Sequence, residues 1–350
     1  MKILTNRRKV LKGAAVVGAG LLASPSYSFN ILKNRKSDSK ILGHGNMQYK
    51  IDKEWGTQDP SKIPVKDCHE MVQDAKGRLI LLTNETKNNV LIYDKSGKVL
   101  STWGDAFPGA HGLTLANEND EEFLFITDTD RHQIFKTTMD GKVLMKLDYP
   151  RETGVYDYPG QYKPTEIAVA PNGDFYVADG YGLDYVIQYN AKGEYIRHFA
   201  GKGDGEDQVK NAHGVCVDSR SGEPCLLVTS RQMQEFKRYT LDGKYIETIK
   251  TPGAWICRPV IAGDYLYFAV IVNKSWDYYD GFVLIMDKDY KVVSAPGGIS
   301  PSYSGSTLNE LKTEGTWFMN PHDVCVDDEG NLYIPQWNSG KTYPVKLEKV

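Results

Sequence analysis

Three histidines stand in one repeated phrase. The stretch Gly109-Ala110-His111-Gly112-Leu113-Thr114-Leu115 returns as Asn211-Ala212-His213-Gly214-Val215-Cys216-Val217-Asp218, and again as Asn320-Pro321-His322-Asp323-Val324-Cys325-Val326-Asp327. In each copy a small or turn-forming residue precedes the histidine and an alternating apolar run follows. That alternation is the period of a β-strand whose two faces meet different surroundings. Histidines at one register of a repeated unit are presented alike by every unit, so a closed ring of units would bring them together. Neutral imidazoles with an open coordination position suit a divalent first-row metal, zinc first. The competing reading gives each histidine a hydrogen bond to the backbone of a neighbouring unit.

The elements that must position these residues recur from Cys68 onward. Each unit carries a starting strand, a Gly or Asn turn, two further strands and a glycine hairpin into a fourth, as in Ser96-Gly97-Lys98 and Asp140-Gly141-Lys142. The hairpin residues are turn chemistry and belong to the scaffold. Unit starts at 69, 111, 166, 213, 258 and 322 give spacings of 42, 55, 47, 45 and 64 residues. Four strands in about 45 residues is the signature of a propeller blade. The expected fold is therefore all-β, a six-bladed β-propeller. The last unit ends too early for a fourth strand, and Met47-Gln48-Tyr49-Lys50-Ile51-Asp52 is expected to supply it and close the ring. At the repeated register the channel mouth reads His69, His111, Glu166, His213, Arg258 and His322, which takes four of the chain's seven histidines.

The leader and composition bound the setting. Asn6-Arg7-Arg8-Lys9-Val10-Leu11-Lys12, a weakly apolar run from Gly13 to Ala23 and a small-residue zone to Ser28 read as a twin-arginine export signal. An ordinary secretory signal or a retained anchor is the alternative. Residues 1–28 are thus assigned to the signal, 29–46 to a flexible spacer and 47–350 to the propeller. Removing the leader takes five of the 42 basic residues and leaves 37 against 45 acidic ones, a net charge of −8. Mild acidity argues against nucleic acid or anionic lipid as a partner. No apolar run long enough to span a membrane follows the leader. The expected location is periplasmic or secreted, with the twin-arginine machinery as the export partner. Five cysteines without a CxxC pair argue against a thiolate metal site, and whether Cys216 and Cys225 pair is left open.

Several of these phrases resemble the lyase domain of peptidylglycine α-amidating enzymes, a member of the NHL-repeat six-bladed propellers. The phrases are His111-Gly112-Leu113 with Thr127-Asp128 and His132-Gln133-Ile134-Phe135-Lys136, Pro164-Thr165-Glu166-Ile167-Ala168-Val169 with Ala178-Asp179-Gly180-Tyr181, and Met319-Asn320-Pro321-His322-Asp323. The similarity runs from about Gln48 to the C-terminus. It implies a catalytic Zn2+ on His111, His213 and His322. It also implies a structural Ca2+ on Asp323 with the backbone carbonyls near Met71 and Leu113, hard oxygen ligands as calcium requires. Tyr181 falls on the tyrosine that the family places beside the zinc, and Arg231 on an active-site arginine. The family's other catalytic arginine aligns with Asn84, which cannot deliver a fixed positive charge. His69 adds an imidazole that the lyase lacks.

Three functions compete at this point. The first is an exported zinc-dependent lyase or hydrolase acting on a small oxygenated substrate, with Tyr181 or His69 moving the proton. The second is a non-catalytic propeller that binds a polysaccharide or a protein across the same mouth, where the insertion Trp276-Asp277-Tyr278-Tyr279 would suit sugar stacking. The third, a calcium-dependent lactonase, would want Glu, Asn and Asp ligands rather than three histidines.

Overall fold

The computed structural model describes residues 40–350, and the leader lies outside them. The repeated units each form one antiparallel sheet in chain order, starting with Cys68–Gln73, Ala110–Glu118, Glu166–Val169 and Ala212–Asp218 as the first strands of blades 1 to 4. Blade 5 is built on Tyr265–Val272, Phe282–Met286 and Val292–Ser294, and its first strand is split into Trp255–Ile256 and Val260–Ala262. Blade 6 joins Cys325–Val326, Leu332–Ile334 and Val345–Lys349 to Met47–Asp52 from the other end of the described chain. The N-terminal strand therefore closes the ring, with Ile51 opposite Leu347.

The spacer expected over 29–46 lies outside the described residues as far as 39, but its last part belongs to the propeller. Ile41–His44 is a strand that pairs with Met47–Asp52 around Gly45 and adds a fifth strand to blade 6. Its four-residue length and the surrounding Gly43, Gly45 and Asn46 hid it, because an outermost strand needs only one buried apolar contact, here Leu42. No helix among the described residues is long and apolar enough to cross a membrane.

The core is divided between the blades rather than gathered at one centre. Each of six apolar clusters bridges two adjacent sheets: Ile80, Leu82 and Leu113 join blades 1 and 2, and Phe125, Phe175 and Val177 join blades 2 and 3. Tyr176, Val215 and Val228 join blades 3 and 4, and Leu227, Phe236 and Phe268 join blades 4 and 5. Tyr49, Val283 and Leu332 join blades 5 and 6, and Trp55, Leu81 and Tyr333 join blades 6 and 1. Six sheets with an apolar cluster at every junction make a closed ring, which leaves the innermost strands around a channel. All five cysteines are free, and Cys225 faces Asp218 across the strands while Cys216 faces Leu227.

Candidate metal centre

The four mouth histidines sit where the innermost strands break their regular pairing. In blade 1 the ladder shifts between Cys68 and Glu70, in blade 2 between Ala110 and Leu113, and in blade 4 between Ala212 and Val215. In blade 6 the pairing is interrupted between the Pro321–Gln336 bridge and Cys325 opposite Tyr333. An extra residue on one strand re-aims the side chain it carries. Here it carries His69, His111, His213 and His322, all buried. Blade 3 pairs without a break from Glu166 opposite Ala178 to Val169 opposite Phe175, and it contributes no histidine.

The imidazoles form two triangles with a common edge. Ring centroids of His111 and His322 are 4.9 Å apart; His69 lies 4.8 Å from each of them on one side, and His213 lies 4.8 and 4.9 Å from them on the other. His111 Nδ1 donates to the Thr165 carbonyl at 2.8 Å, and His322 Nδ1 donates to the His69 carbonyl at 3.0 Å. Those bonds to neighbouring blades fix the tautomer and leave each Nε2 with a lone pair for a metal. The two sequence readings of these histidines are therefore compatible, one for each ring nitrogen. Nδ1 of His69 and of His213 is buried with no protein partner. Burial holds all four rings well below the ordinary imidazole range, His69 at about 3, so they stay neutral at neutral pH. Neutral, anchored and partly unpartnered imidazoles fit a zinc-class ion.

Tyr181 and Arg231 stand beside this cluster. The Tyr181 ring is exposed along one side, but its hydroxyl reaches inward to 3.1 Å from His111 Nε2 and 3.0 Å from His213 Nε2. Burial of that end raises the phenol above its ordinary value, and the adjacent Arg231 guanidinium pulls the other way. Arg231 is held by the Ile256 carbonyl at 3.0 Å and by Cys257 Sγ at 3.1 Å. These groups form the floor of a cavity of about 480 Å³ whose wall includes Lys66, Asn84, Trp255, Trp276 and Trp337. Asn84 is engaged at both ends by Asp67, with Nδ2 donating to its carboxylate at 3.1 Å and Oδ1 accepting from its amide at 3.0 Å. The wall cation nearest that corner is Lys66, which the sequence reading did not single out; a pocket-lining role for it has no local signature.

The mouth ring itself needs correction. Glu166 and Arg258 do not share the histidine layer. Thr165 and Cys257 hold those positions, each carbonyl accepting an inter-blade bond, from Thr127 Oγ1 at 3.2 Å and Thr229 Oγ1 at 2.8 Å. Glu166 and Arg258 lie one residue further along the channel with Glu70 and Asp323. The slip is one residue in the two blades that lack the histidine, where nothing in the sequence marked the register.

The expected calcium site also changes. Asp323 and the carbonyls of Met71 and Leu113 do converge, but on the Arg258 guanidinium. Nη1 donates to Leu113 O at 2.8 Å, Nη2 to Met71 O at 3.0 Å, and Nε and Nη2 grip the two Asp323 oxygens at 2.7 and 2.8 Å. Glu70 Oε2 stands 3.0 Å from Nη1, and burial, with Glu166 and Asp323 nearby, pushes the Glu70 carboxyl well above the usual range despite Arg258. With those oxygens engaged by nitrogen donors, the residues do not fit a calcium ion as well.

No family model matches the chain. It is 28% identical over 283 residues to peptidyl-alpha-hydroxyglycine alpha-amidating lyase 1 of Drosophila melanogaster, covering 73% of this chain and 47% of that protein. Over 257 residues it is 26% identical to peptidyl-glycine alpha-amidating monooxygenase B of Xenopus laevis, covering 71% of this chain and 27% of that protein. The chain thus spans about half the length, or less, of the curated relatives it matches. A solved streptogramin B lyase superposes with a TM-score of 0.54 over 81% of this chain and 94% of that one, at 14% identity, a likeness of fold alone. The chain is a six-bladed propeller that resembles the amidating lyases.

Proposed function

We propose that this chain is a zinc-dependent lyase that cleaves the carbon–nitrogen bond of a small α-hydroxylated amide. The observation that carries the reading is the Tyr181 hydroxyl, within hydrogen-bond reach of both His111 Nε2 and His213 Nε2 and beside Arg231. His111, His213 and His322 would hold the ion, which supplies Lewis-acid polarisation of the substrate oxygen when bound. Arg231 offsets the burial that raises Tyr181, and a cation on the histidines would lower it further, so that the Tyr181 oxygen could take the proton from the substrate hydroxyl. The carbon–oxygen double bond then forms as the carbon–nitrogen bond breaks, and the leaving nitrogen takes back the proton that Tyr181 has just received, directly or through a water that His69 orients. The products are an aldehyde and an amide. Lys66 offers the wall a positive charge that Asn84 cannot, which suits a substrate with a carboxylate.

A second arrangement has its own support, since the ligand atoms of His69, His111 and His322 all lie within 4.8 Å of one another. In that arrangement His213 and Tyr181 would form the proton-handling pair. Export by the twin-arginine route to the periplasm or medium is part of the proposal and rests on the leader alone.

The test is a comparison of wild type with Tyr181→Phe on a panel of α-hydroxyglycine amides. The variant is expected to keep zinc at the wild-type ratio and to lose about 10²–10⁴-fold in turnover, the usual worth of a positioned acid or base. A zinc-loaded wild type that cleaves none of the panel yet binds glycans would favour the non-catalytic propeller, with Trp276 as its stacking face.

A further inference from the structure

We infer that the Arg258 guanidinium is the resident cation of the channel's second layer, standing where oxygen ligands would otherwise gather around a calcium-class ion, so that the propeller needs no divalent ion there. Arg258 belongs to blade 5, yet its donors meet oxygens of blades 1, 2 and 6: Met71 O, Leu113 O and both Asp323 oxygens, at 2.7 to 3.0 Å. Glu70 Oε2 at 3.0 Å and Glu166 Oε2 at 3.6 Å complete six surrounding oxygens from five residues. Six to eight hard oxygens, carboxylate and carbonyl mixed, is a calcium shell. The distances here are those of N–H···O bonds, and the bidentate grip on Asp323 uses the planar fork that only arginine presents.

Two further observations point the same way. Glu70 Oε1 and Glu166 Oε2 are buried and take no hydrogen bond from the arginine, on side chains 0% and 1% exposed, and the carboxyl groups of Glu70, Glu166 and Asp323 outnumber the one guanidinium they surround. That excess marks a site rich enough in oxygen for a doubly charged ion. The first strand of blade 5 is also interrupted between Ile256 and Val260, and Arg258 sits in the interruption, free of the ladder and able to reach the axis. Its backbone is pinned by blade 4, because a Cβ on Gly214 would lie 2.4 Å from Arg258 Cα. The arginine is built in as an element of the ring.

Truncating the side chain would then expose a latent calcium site rather than an inert hole. The test compares full-length wild type with Arg258→Ala by metal content after dialysis and by thermal unfolding at a fixed zinc level in calcium-free buffer, in magnesium and in calcium. Wild type is expected to hold no stoichiometric calcium and to unfold at the same midpoint in all three. The variant is expected to unfold at a lower midpoint in calcium-free buffer and to recover with millimolar calcium but not with magnesium, which demands a smaller octahedral shell. If the variant does not fold on expression, refolding from denaturant in calcium or magnesium gives the same comparison. One calcium per wild-type chain whose removal lowers the midpoint overturns the inference. So does a variant that folds or refolds no better in calcium than in magnesium.

Discussion

Truncating the mouth histidines one at a time separates the two overlapping triads. His111 belongs to both, so His111→Ala leaves no three adjoining imidazoles, whereas His69→Ala and His213→Ala each leave one complete triangle. A four-ligand zinc site is worth about 10–16 kcal/mol, so one ligand accounts for about 3 kcal/mol, roughly 100-fold in affinity. His111→Ala is expected to weaken zinc by at least that factor. His213→Ala should weaken it by about tenfold or more as the ion shifts to the surviving triad, and His69→Ala should leave it within a few-fold of wild type. The fold should tolerate all three. The Thr165 carbonyl that His111 serves keeps its bond from Thr127 Oγ1 at 3.2 Å, and the His213 ring bonds no backbone group, so each truncation costs about 1 kcal/mol or less beyond its lost packing. The assay is competition with a chromophoric chelator, with circular dichroism as the control for folding. If His69→Ala loses zinc as His111→Ala does while His213→Ala binds like wild type, the ion belongs to the other triad, and the placement of Tyr181 beside a His213-bound metal is refuted.

The glycine that follows His111 is a second point of sensitivity. A Cβ there would lie 2.5 Å from Thr165 O and 2.8 Å from Thr127 Oγ1, so Gly112→Ala forces blades 2 and 3 apart. A loss of about 1–3 kcal/mol or more is expected in thermal unfolding; an unchanged midpoint would show that the blades have slack. The metal-free protein should also lose stability in mild acid. The four histidines have folded values below 6.5, so their contribution is complete above pH 6.5 and is lost as pH falls below it, when the unfolded chain takes up protons. Asp179, pushed up to about 7 by burial, and Glu70, also raised, act in the opposite sense, because the folded state already holds their protons. With four rings set against two carboxyls, unfolding takes up protons on balance as pH falls from 6.5 towards 5, and stability is expected to decline most steeply at the lower end. Denaturant titrations across that range measure it, and a flat profile would contradict the burial of the rings.

What the sequence determined by itself was local and periodic. The alternating runs and glycine hairpins gave the four-stranded unit, its recurrence gave the blade number, and the short last unit called for Met47–Asp52 to close the ring. The repeated histidine phrase put His111, His213 and His322 at one mouth, because side chains at one register of identical units share a fate. Tertiary structure decided the rest. The bulges that aim the histidines appear only as strand pairing, so the register of blades 3 and 5 slipped by one residue, and Glu166 and Arg258 entered the wrong layer. Arg258 meets Asp323, Leu113 and Met71 across 65, 145 and 187 residues of chain, a convergence created by ring closure and by nothing local in the sequence. An arginine in an apolar strand start and an aspartate after a histidine look unrelated until six sheets bring both to one axis. There the low dielectric makes an unpaired charge expensive and a matched one the natural occupant.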